Sequence, residues 1–304
     1  MDCKITIFTP TYNRANLLDR LYKSLVNQTN KNFIWLVVDD GSKDNTEEVI
    51  QQYISEGKIT IKYVYKDNGG KHSAMDLAHS ICETEYIAGV DSDDYLLETA
   101  VENLYNHILN INDENCVGLV GKKFDVNKNP LGNNWVEENK LIYFNELYGK
   151  YNYNADTFLI FKTSIVKNYH FPTIEGERFI TEKVLYNQFL YNHKIYAIDT
   201  TDYIAEYQSE GYSASSIKLM FNNPKGVFCA FKSDTYYMTK YNAGLKNIVL
   251  AWARFYAWRR LNKFKNLFKD EMNIKSYKKF IGWCLSFIMQ IRYNKKKKIY
   301  LKNN

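Results

Sequence analysis

Apolar and polar positions along the first third of the chain follow two alternating rhythms. Lys4-Ile5-Thr6-Ile7-Phe8-Thr9 is a β-rich run, and beyond Asn13, a helix-capping residue type, Leu17, Leu18, Leu21 and Leu25 fall on one helical face. The unit then repeats. Phe33 to Val38 is an uninterrupted apolar strand, and Asp39-Asp40-Gly41-Ser42 turns the chain into a helix opened by Asp44 with Glu47 three residues later. Ile59 to Tyr65 leads through Asn68-Gly69-Gly70 into a helix over Lys71 to Cys82, and a fourth strand, Tyr86 to Val90, ends at Asp91-Ser92-Asp93-Asp94. Apolar strands alternating with helices predict an α/β fold with a mainly parallel sheet covered on both faces. Ligands of such sheets bind at the carboxyl ends of the strands, where all of these polar clusters fall.

After about residue 115 the pattern is mixed, with strands predicted at Val117 to Gly121, Thr157 to Lys162 and Ile195 to Asp199 and a helix near Glu182 to Asn192. From about residue 215 it is helical. This divides the chain into a body of residues 1–214, with halves 1–115 and 116–214, and a C-terminal helical region of residues 215–304.

Composition adds a globular character: 45% of the 304 residues are hydrophobic, 24% are charged and the mean hydropathy is −0.45, which fits neither a disordered chain nor a membrane-spanning one. The formal charge of +6 hides an asymmetry. Residues 1–220 carry 21 Lys and Arg against 31 Asp and Glu, a net of −10, whereas residues 221–304 carry 19 against 3, a net of +16. A basic segment on an acidic body suits a phosphate-bearing or anionic-lipid partner. The five cysteines are scattered, without a C-x-x-C pair, and Met1-Asp2-Cys3-Lys4 runs straight into the first strand without the flanks of a secretory signal. A cytoplasmic protein is expected.

Asp91, Asp93 and Asp94 crowd one strand end, an arrangement that a divalent cation held by carboxylates and a substrate diphosphate would satisfy; a solvated, helix-capping turn is the other reading. The acidic end Asp39-Asp40 and the loop Thr9-Pro10-Thr11-Tyr12-Asn13-Arg14 converge on the same crevice. There a carboxylate can accept a nucleobase N–H, Tyr12 can stack on the base, and Arg14 or Lys71 can neutralise phosphate. Asn68 to Ser73 is not a Walker A loop, since Tyr65 stands at its first Gly position and His72 at its Ser/Thr position. A Gly pair feeding a helix N-terminus still suits a diphosphate. None of the five histidines has metal-site spacing; His72, in this loop, is the one to examine.

Thr9 to Arg14, Val37-Val38-Asp39-Asp40-Gly41-Ser42 with Asp44 and Thr46, Asn68-x-Gly70, and Val90 to Asp94, in this order and spacing, resemble a family 2 glycosyltransferase over residues 3 to 110. The resemblance implies a GT-A fold, a Rossmann-like mixed and mainly parallel sheet flanked by helices. It also implies a nucleotide-sugar donor, a Mn²⁺ or Mg²⁺ cofactor and transfer with inversion. Carried onto this chain, Pro10, Thr11 and Tyr12 line the nucleoside, and Asp40 accepts the uracil N–H. Asp91 and Ser92 face the ribose side of the donor, Asp93 holds the metal, and Lys71 and Arg14 lie near the phosphates. The body then divides into a donor-binding half and an acceptor half. The family's general base is expected in Gly176 to Glu182, with Glu182 the first choice and Glu177 the second. Asp76 departs from the resemblance, standing where an Asn is expected.

In residues 243–304 aromatic and aliphatic residues recur among lysines and arginines. Two readings stand side by side: helices lying on an anionic membrane surface, or helices packed together with a basic outer face. Nucleic acid is the weaker partner. Neither transmembrane helices nor a Q-x-x-R-W motif is found, so the expectation is a non-processive enzyme. Such an enzyme adds one sugar to a glycan or lipid-linked glycan at the inner face of the cell membrane. Competing readings are a sugar-phosphate nucleotidyltransferase, disfavoured because Thr9 to Arg14 contains no Gly, and a nucleotide-sugar-binding protein without catalysis.

Overall fold

A computed structural model describes residues 3–136, 139–199, 202–206, 215–264 and 277–302. The boundary expected at 214 and the basic stretch just beyond 264 lie outside the described residues. In chain order the elements are β1 (Ile5–Thr11), α1 (Ala15–Val26), β2 (Phe33–Asp39), α2 (Thr46–Glu56), β3 (Thr60–Tyr65), α3 (Lys71–Ile81), β4 (Tyr86–Gly89), β5 (Tyr95–Leu96), α4 (Ala100–Leu109), β6 (Cys116–Phe124) and β7 (Lys140–Tyr143). They continue with α5 (Phe144–Gly149), β8 (Thr157–Lys162), α6 (Thr163–Val166), α7 (Lys183–Leu190), β9 (Lys194–Ala197), β10 (Tyr203–Ile204), α8 (Ser216–Asn222), α9 (Pro224–Lys240), α10 (Leu245–Leu261) and α11 (Tyr277–Lys302). They form two compact units that interleave along the chain: Met1–His170 with Asn192–Ser209, and Phe171–Tyr191 with Glu210–Asn304.

The first unit is built on a sheet of order β3-β2-β1-β4-β8-β6-β10-β5, with β9 beside β6 and β7 beside β9. β3, β2, β1 and β4 are parallel, β8 runs antiparallel to both of its neighbours, and β9 is parallel to β6. β1 and β2 are nearly continuous in buried side chains because helices cover both of their faces. β3 reads differently: its exposed Thr60, Lys62 and Tyr65 belong to an edge strand, where a lysine discourages further strand pairing. Between α1, α2 and β2 the rings of Tyr22 and Tyr53 stack at 3.8 Å beside Trp35, whose indole N–H donates to Thr9 Oγ1 at 3.0 Å. Each such buried side chain contributes about 1.5–3 kcal/mol, which keeps the scaffold under the loops rigid.

In the second unit α10 is the core element. Ile248, Trp252, Phe255 and Trp258 are buried against Val227 and Phe228 of α9 and Tyr293 of α11. Both indoles find polar partners, Trp258 donating to the Pro224 carbonyl at 2.8 Å and Trp252 to Thr239 Oγ1 at 3.1 Å. The aromatic residues of α10 therefore follow the packed reading of the basic tail. The segment carrying Glu182 also belongs to this unit.

Candidate active site

The loops at the carboxyl ends of β1 to β4 are tied to one another through buried carboxylates. Asp40 is the centre. Its Oδ1 accepts from Lys66 Nζ at 2.7 Å and from the Gly69 N–H at 2.9 Å, and its Oδ2 accepts from the Gly70 N–H at 2.7 Å. Its backbone N–H donates to the Thr11 carbonyl and its carbonyl accepts from Asn68 Nδ2, each at 2.8 Å. One residue thus joins the loops after β1, β2 and β3. Asp39, also buried, accepts from the Ser42 N–H and from Tyr63 Oη at 2.8 Å. Gly41, at φ +84, is required here because a Cβ would lie 2.8 Å from the Asn68 nitrogen.

Asn13 and Asp44 act differently from the simple helix caps expected of them. Asn13 sits at φ 51, donates its N–H to Ser42 Oγ at 2.8 Å and accepts from the Lys43 N–H at 2.7 Å. Asp44 accepts from Thr46 and also reaches across to the Ala15 N–H at 3.1 Å, so the start of α1 is satisfied by the neighbouring loop. Burial pushes the Asp44 carboxyl up, but the hydrogen bonds from Thr46 and Ala15 outweigh it and hold the group low.

The acidic end of β4 is neutralised by cationic side chains of this chain. Arg14 donates to Asp93 Oδ2 at 2.7 Å, and Lys71 Nζ lies 2.6 Å from Asp91 Oδ1. Burial raises the pKa of Asp91, yet Lys71 and Lys123 overcome this and hold it down to about 2. Asp94 is buried and accepts from Tyr203 Oη and from the Glu206 N–H at 2.9 Å, with Lys123 Nζ 3.7 Å away. For Asp94 burial dominates, aided by the charges of Asp91 and Asp93, and despite Lys123 its carboxyl is pushed up to about 7. Arg20 donates to the Asp93 carbonyl and pairs with Glu206.

Crowded acids at this strand end pointed to a divalent cation, but among the described residues no group of three or more His, Cys, Asp or Glu side chains is gathered around one point. The donor chemistry is nevertheless compatible with a hard cation. Asp93 is partly exposed, and its Oδ1 carries no hydrogen bond among the described residues.

Of the nucleoside-lining residues, Pro10 and Thr11 end β1 and Tyr12 stands 45% exposed beyond it. The Thr11 hydroxyl is buried and, among the described residues, is without a hydrogen-bond partner, as expected of an atom that meets a ligand. Ser92 is buried. His72 lies buried in the first turn of α3, where burial lowers its pKa and favours the neutral ring. Asp76 lies 3.2 Å from His170 Nδ1.

Lys66, Lys123, Arg20 and Tyr203 escaped the sequence reading. Lys66 adjoins the Asn68-Gly69-Gly70 motif and had a local signal; Lys123 and Tyr203 come from β6 and β10 and had none. A cavity of about 450 Å³, lined by Leu131, Gly132, Tyr148, Asn154, Ala155 and Asp156, was equally invisible. It borders the start of β8, which runs antiparallel to β4 and so begins toward the sheet edge that carries Asp91.

Glu182 and Glu177 belong to the second unit. Glu177 accepts from the Lys225 and Gly226 N–H groups at 3.1 and 2.9 Å and thereby caps α9. Glu182 precedes α7 and accepts from Tyr186 Oη at 3.3 Å.

A sequence profile described as Glycosyl transferase family 2 matches residues 6–170, which is over half of the chain and includes the loops after β1, β2, β3 and β4. The chain belongs to this family. Among similar proteins, it is 24% identical to the glycosyltransferase GlyG of Streptococcus pneumoniae over 66% of this chain and 69% of that one. It is 28% identical to TarP, a poly(ribitol-phosphate) β-N-acetylglucosaminyltransferase of Staphylococcus aureus, over 65% and 60%. The match to GlyA of S. pneumoniae, 35% identical over 39% of this chain, spans 17% of that protein. TarS of S. aureus in complex with UDP-GlcNAc superposes with a TM-score of 0.63 at 19% identity, over 95% of this chain and 81% of that one. The architecture is therefore the GT-A fold of family 2, a mixed sheet flanked by helices and followed by a helical region.

Replacing Asp40 by Ala strands Lys66 and two loop N–H groups. It should lower stability by about 3–5 kcal/mol, read as a shift in the urea midpoint at unchanged slope. A second expectation concerns pH. Because the folded-state pKa of Asp94 is about 7, against an ordinary 3.8, the folded protein keeps a proton there that the unfolded chain loses. The contribution of Asp94 to stability should fall as pH rises from about 4 to about 7. Urea unfolding at several pH values should show wild type losing stability relative to Asp94→Asn across that window.

Proposed function

We propose that this chain is a metal-dependent inverting glycosyltransferase. It moves one sugar from a nucleotide-sugar donor, a UDP-sugar, to a hydroxyl of a glycan or lipid-linked glycan in cell-surface polysaccharide synthesis. The observation that carries the reading is the pair of carboxylate–cation contacts, Arg14 with Asp93 and Lys71 with Asp91, set beside the unpartnered Thr11 hydroxyl at the carboxyl edge of the sheet. Two cations and two carboxylates at one edge can exchange partners when a diphosphate arrives. Arg14 and Lys71 turn to the phosphates, and the carboxylates turn to the ribose and to a cation. Support for the donor and acceptor classes comes from similar proteins. TarS binds UDP-GlcNAc, and a relative in Campylobacter jejuni is named a GalNAc(5)-diNAcBac-PP-undecaprenol β-1,3-glucosyltransferase, 30% identical over 55% of this chain. A mannosyltransferase of Pyrobaculum calidifontis, TM-score 0.51, holds GDP-Man and Mn²⁺.

In this reading Pro10, Thr11, Tyr12 and Ser92 line the nucleoside, and Asp40 receives the base N–H through Oδ2, which accepts one hydrogen bond from the protein. Asp93 would hold Mn²⁺ or Mg²⁺ through Oδ1 together with diphosphate oxygens; bound there, the ion stabilises charge on the departing diphosphate. Glu182 takes the proton of the acceptor hydroxyl as that oxygen bonds to the anomeric carbon and the carbon–oxygen bond to the diphosphate breaks. Glu182 is preferred to Glu177, whose carboxylate already accepts from the first N–H groups of α9. The helical region of residues 215–304 stands outside this chemistry. No helix among the described residues is long and apolar enough to cross a membrane. A peripheral place at the cytoplasmic face belongs to this reading through the lipid-linked acceptor it proposes.

A panel of UDP-, GDP- and dTDP-sugars, each with Mn²⁺ or EDTA, tests the donor and the ion. Turnover should favour a UDP-sugar and fall at least tenfold in EDTA. Asp93→Ala should be equally weak in both, and identical behaviour of wild type and variant would sink the metal assignment. Glu182→Gln should reduce transfer by about 10²–10⁴-fold with donor affinity unchanged by calorimetry; full transfer by this variant would remove Glu182 as base.

A further inference from the structure

We infer that α11 is a docking helix for an anionic lipid surface, and that its first four turns enter the interface while its last turns rest among the headgroup phosphates. One side of the helix is already used. Gly282 is pressed against α10, where a Cβ would come 2.4 Å from Trp252 Cβ, and Ser286 and Tyr293 are buried on the same side. Arg260 of α10 donates to Ser286 and to Gln290 and lies 4.0 Å over the Phe287 ring. These contacts fix the rotation of α11 about its axis.

The flanks and the side turned away from α10 carry large apolar groups in water: Phe280 is 66% exposed, Trp283 44%, Phe287, whose ring Arg260 partly covers, 47%, Ile288 56% and Ile291 58%. Single exposed apolar residues are ordinary; a continuous run over four turns of one helix is not. Positions 280, 284, 287, 291, 295, 298 and 302 succeed one another at spacings of three and four and so form one outward line. Along that line Phe280, Cys284, Phe287 and Ile291 give way to Lys295, Lys298 and Lys302.

Charge selects the occupant. Residues 277–302 contain Lys278, Lys279, Arg292, Lys295 to Lys298 and Lys302 and not one acidic residue. A second copy of this helix would bring eight more cations to the contact and be repelled. An anionic bilayer instead offers apolar volume for the aromatic turns and phosphates for the lysines, whose stems can lie along the interface. Lys279, over the Trp252 ring at 5.0 Å, and Lys278, donating to Asn242 Oδ1 at 2.8 Å, brace the start of the helix. The inference is independent of the transfer chemistry, so its test needs no donor or acceptor.

Flotation of the full chain with vesicles of phosphatidylcholine alone, or with about one third phosphatidylglycerol, reads the docking. Binding should appear with the anionic vesicles, weaken at least tenfold on raising salt from low to molar concentration, and weaken similarly in Ile288→Glu/Ile291→Glu and in a variant with Lys295 to Lys298 all replaced by Gln. Circular dichroism and the unfolding midpoint establish that these outward variants fold. A polarity-sensitive fluorophore on Cys284, in a Cys3→Ser background, should shift to the blue on anionic vesicles. Equal binding to neutral and anionic vesicles, no binding, or a probe that stays water-exposed would overturn the proposal. So would sizing that showed self-association through Ile288 and Ile291 in place of lipid binding.

Discussion

Carboxylates crowded at the carboxyl end of a parallel sheet must be compensated, and the way this chain compensates them organises the rest of its first unit. Asp40 is 3% exposed and would be costly as a free anion. It is stabilised by Lys66 and by the N–H groups of Gly69 and Gly70, and in meeting that requirement it locks the β3–α3 loop to the end of β2. Arg14 and Lys71 perform the same service for Asp93 and Asp91, drawing the start of α1 and of α3 toward the end of β4. The loops are thus ordered by pairing among their own charges, which leaves pre-organised polar groups at the end of the sheet.

The carboxylates of Asp91 and Asp94 lie in one neighbourhood yet have opposite tendencies. Lys71 and Lys123 keep Asp91 ionised, whereas burial and the nearby acids hold the Asp94 pKa near neutrality, with Tyr203 and the Glu206 N–H as its hydrogen-bond donors. Asp91 thereby stays ionised beside Lys71, while Asp94 ties β10 and the residues after it to the turn that carries Asp93. A cluster that looks uniform in sequence divides into a carboxylate held ionised and one held near neutrality.

The helical unit shows the same division among its aromatic residues. Trp252, Phe255 and Trp258 on α10 and Trp283 and Phe287 on α11 are alike in type and in their basic flanks, but the first three form the core and the last two face outward. The difference follows from Gly282 and Ser286, small residues that bring α11 close to α10 on one side and leave its bulky side chains on the other.

Much of this was legible in the order of residues along the chain. The strand–helix alternation, the runs ending at Asp39, Asp91 and Gly70, and the four motifs in register specified the parallel half of the sheet and the family, because backbone propensity, binary pattern and turn chemistry are local properties. The charge asymmetry was equally plain. Tertiary structure alone decided which cation answers which carboxylate. Lys123 and Tyr203 reach Asp94 from strands 29 and 109 residues further on, and Glu177 is engaged by the start of α9, 48 residues away. Such pairings depend on distances in space between groups remote in sequence, and a carboxylate's neighbours, more than its motif, set its charge and its work.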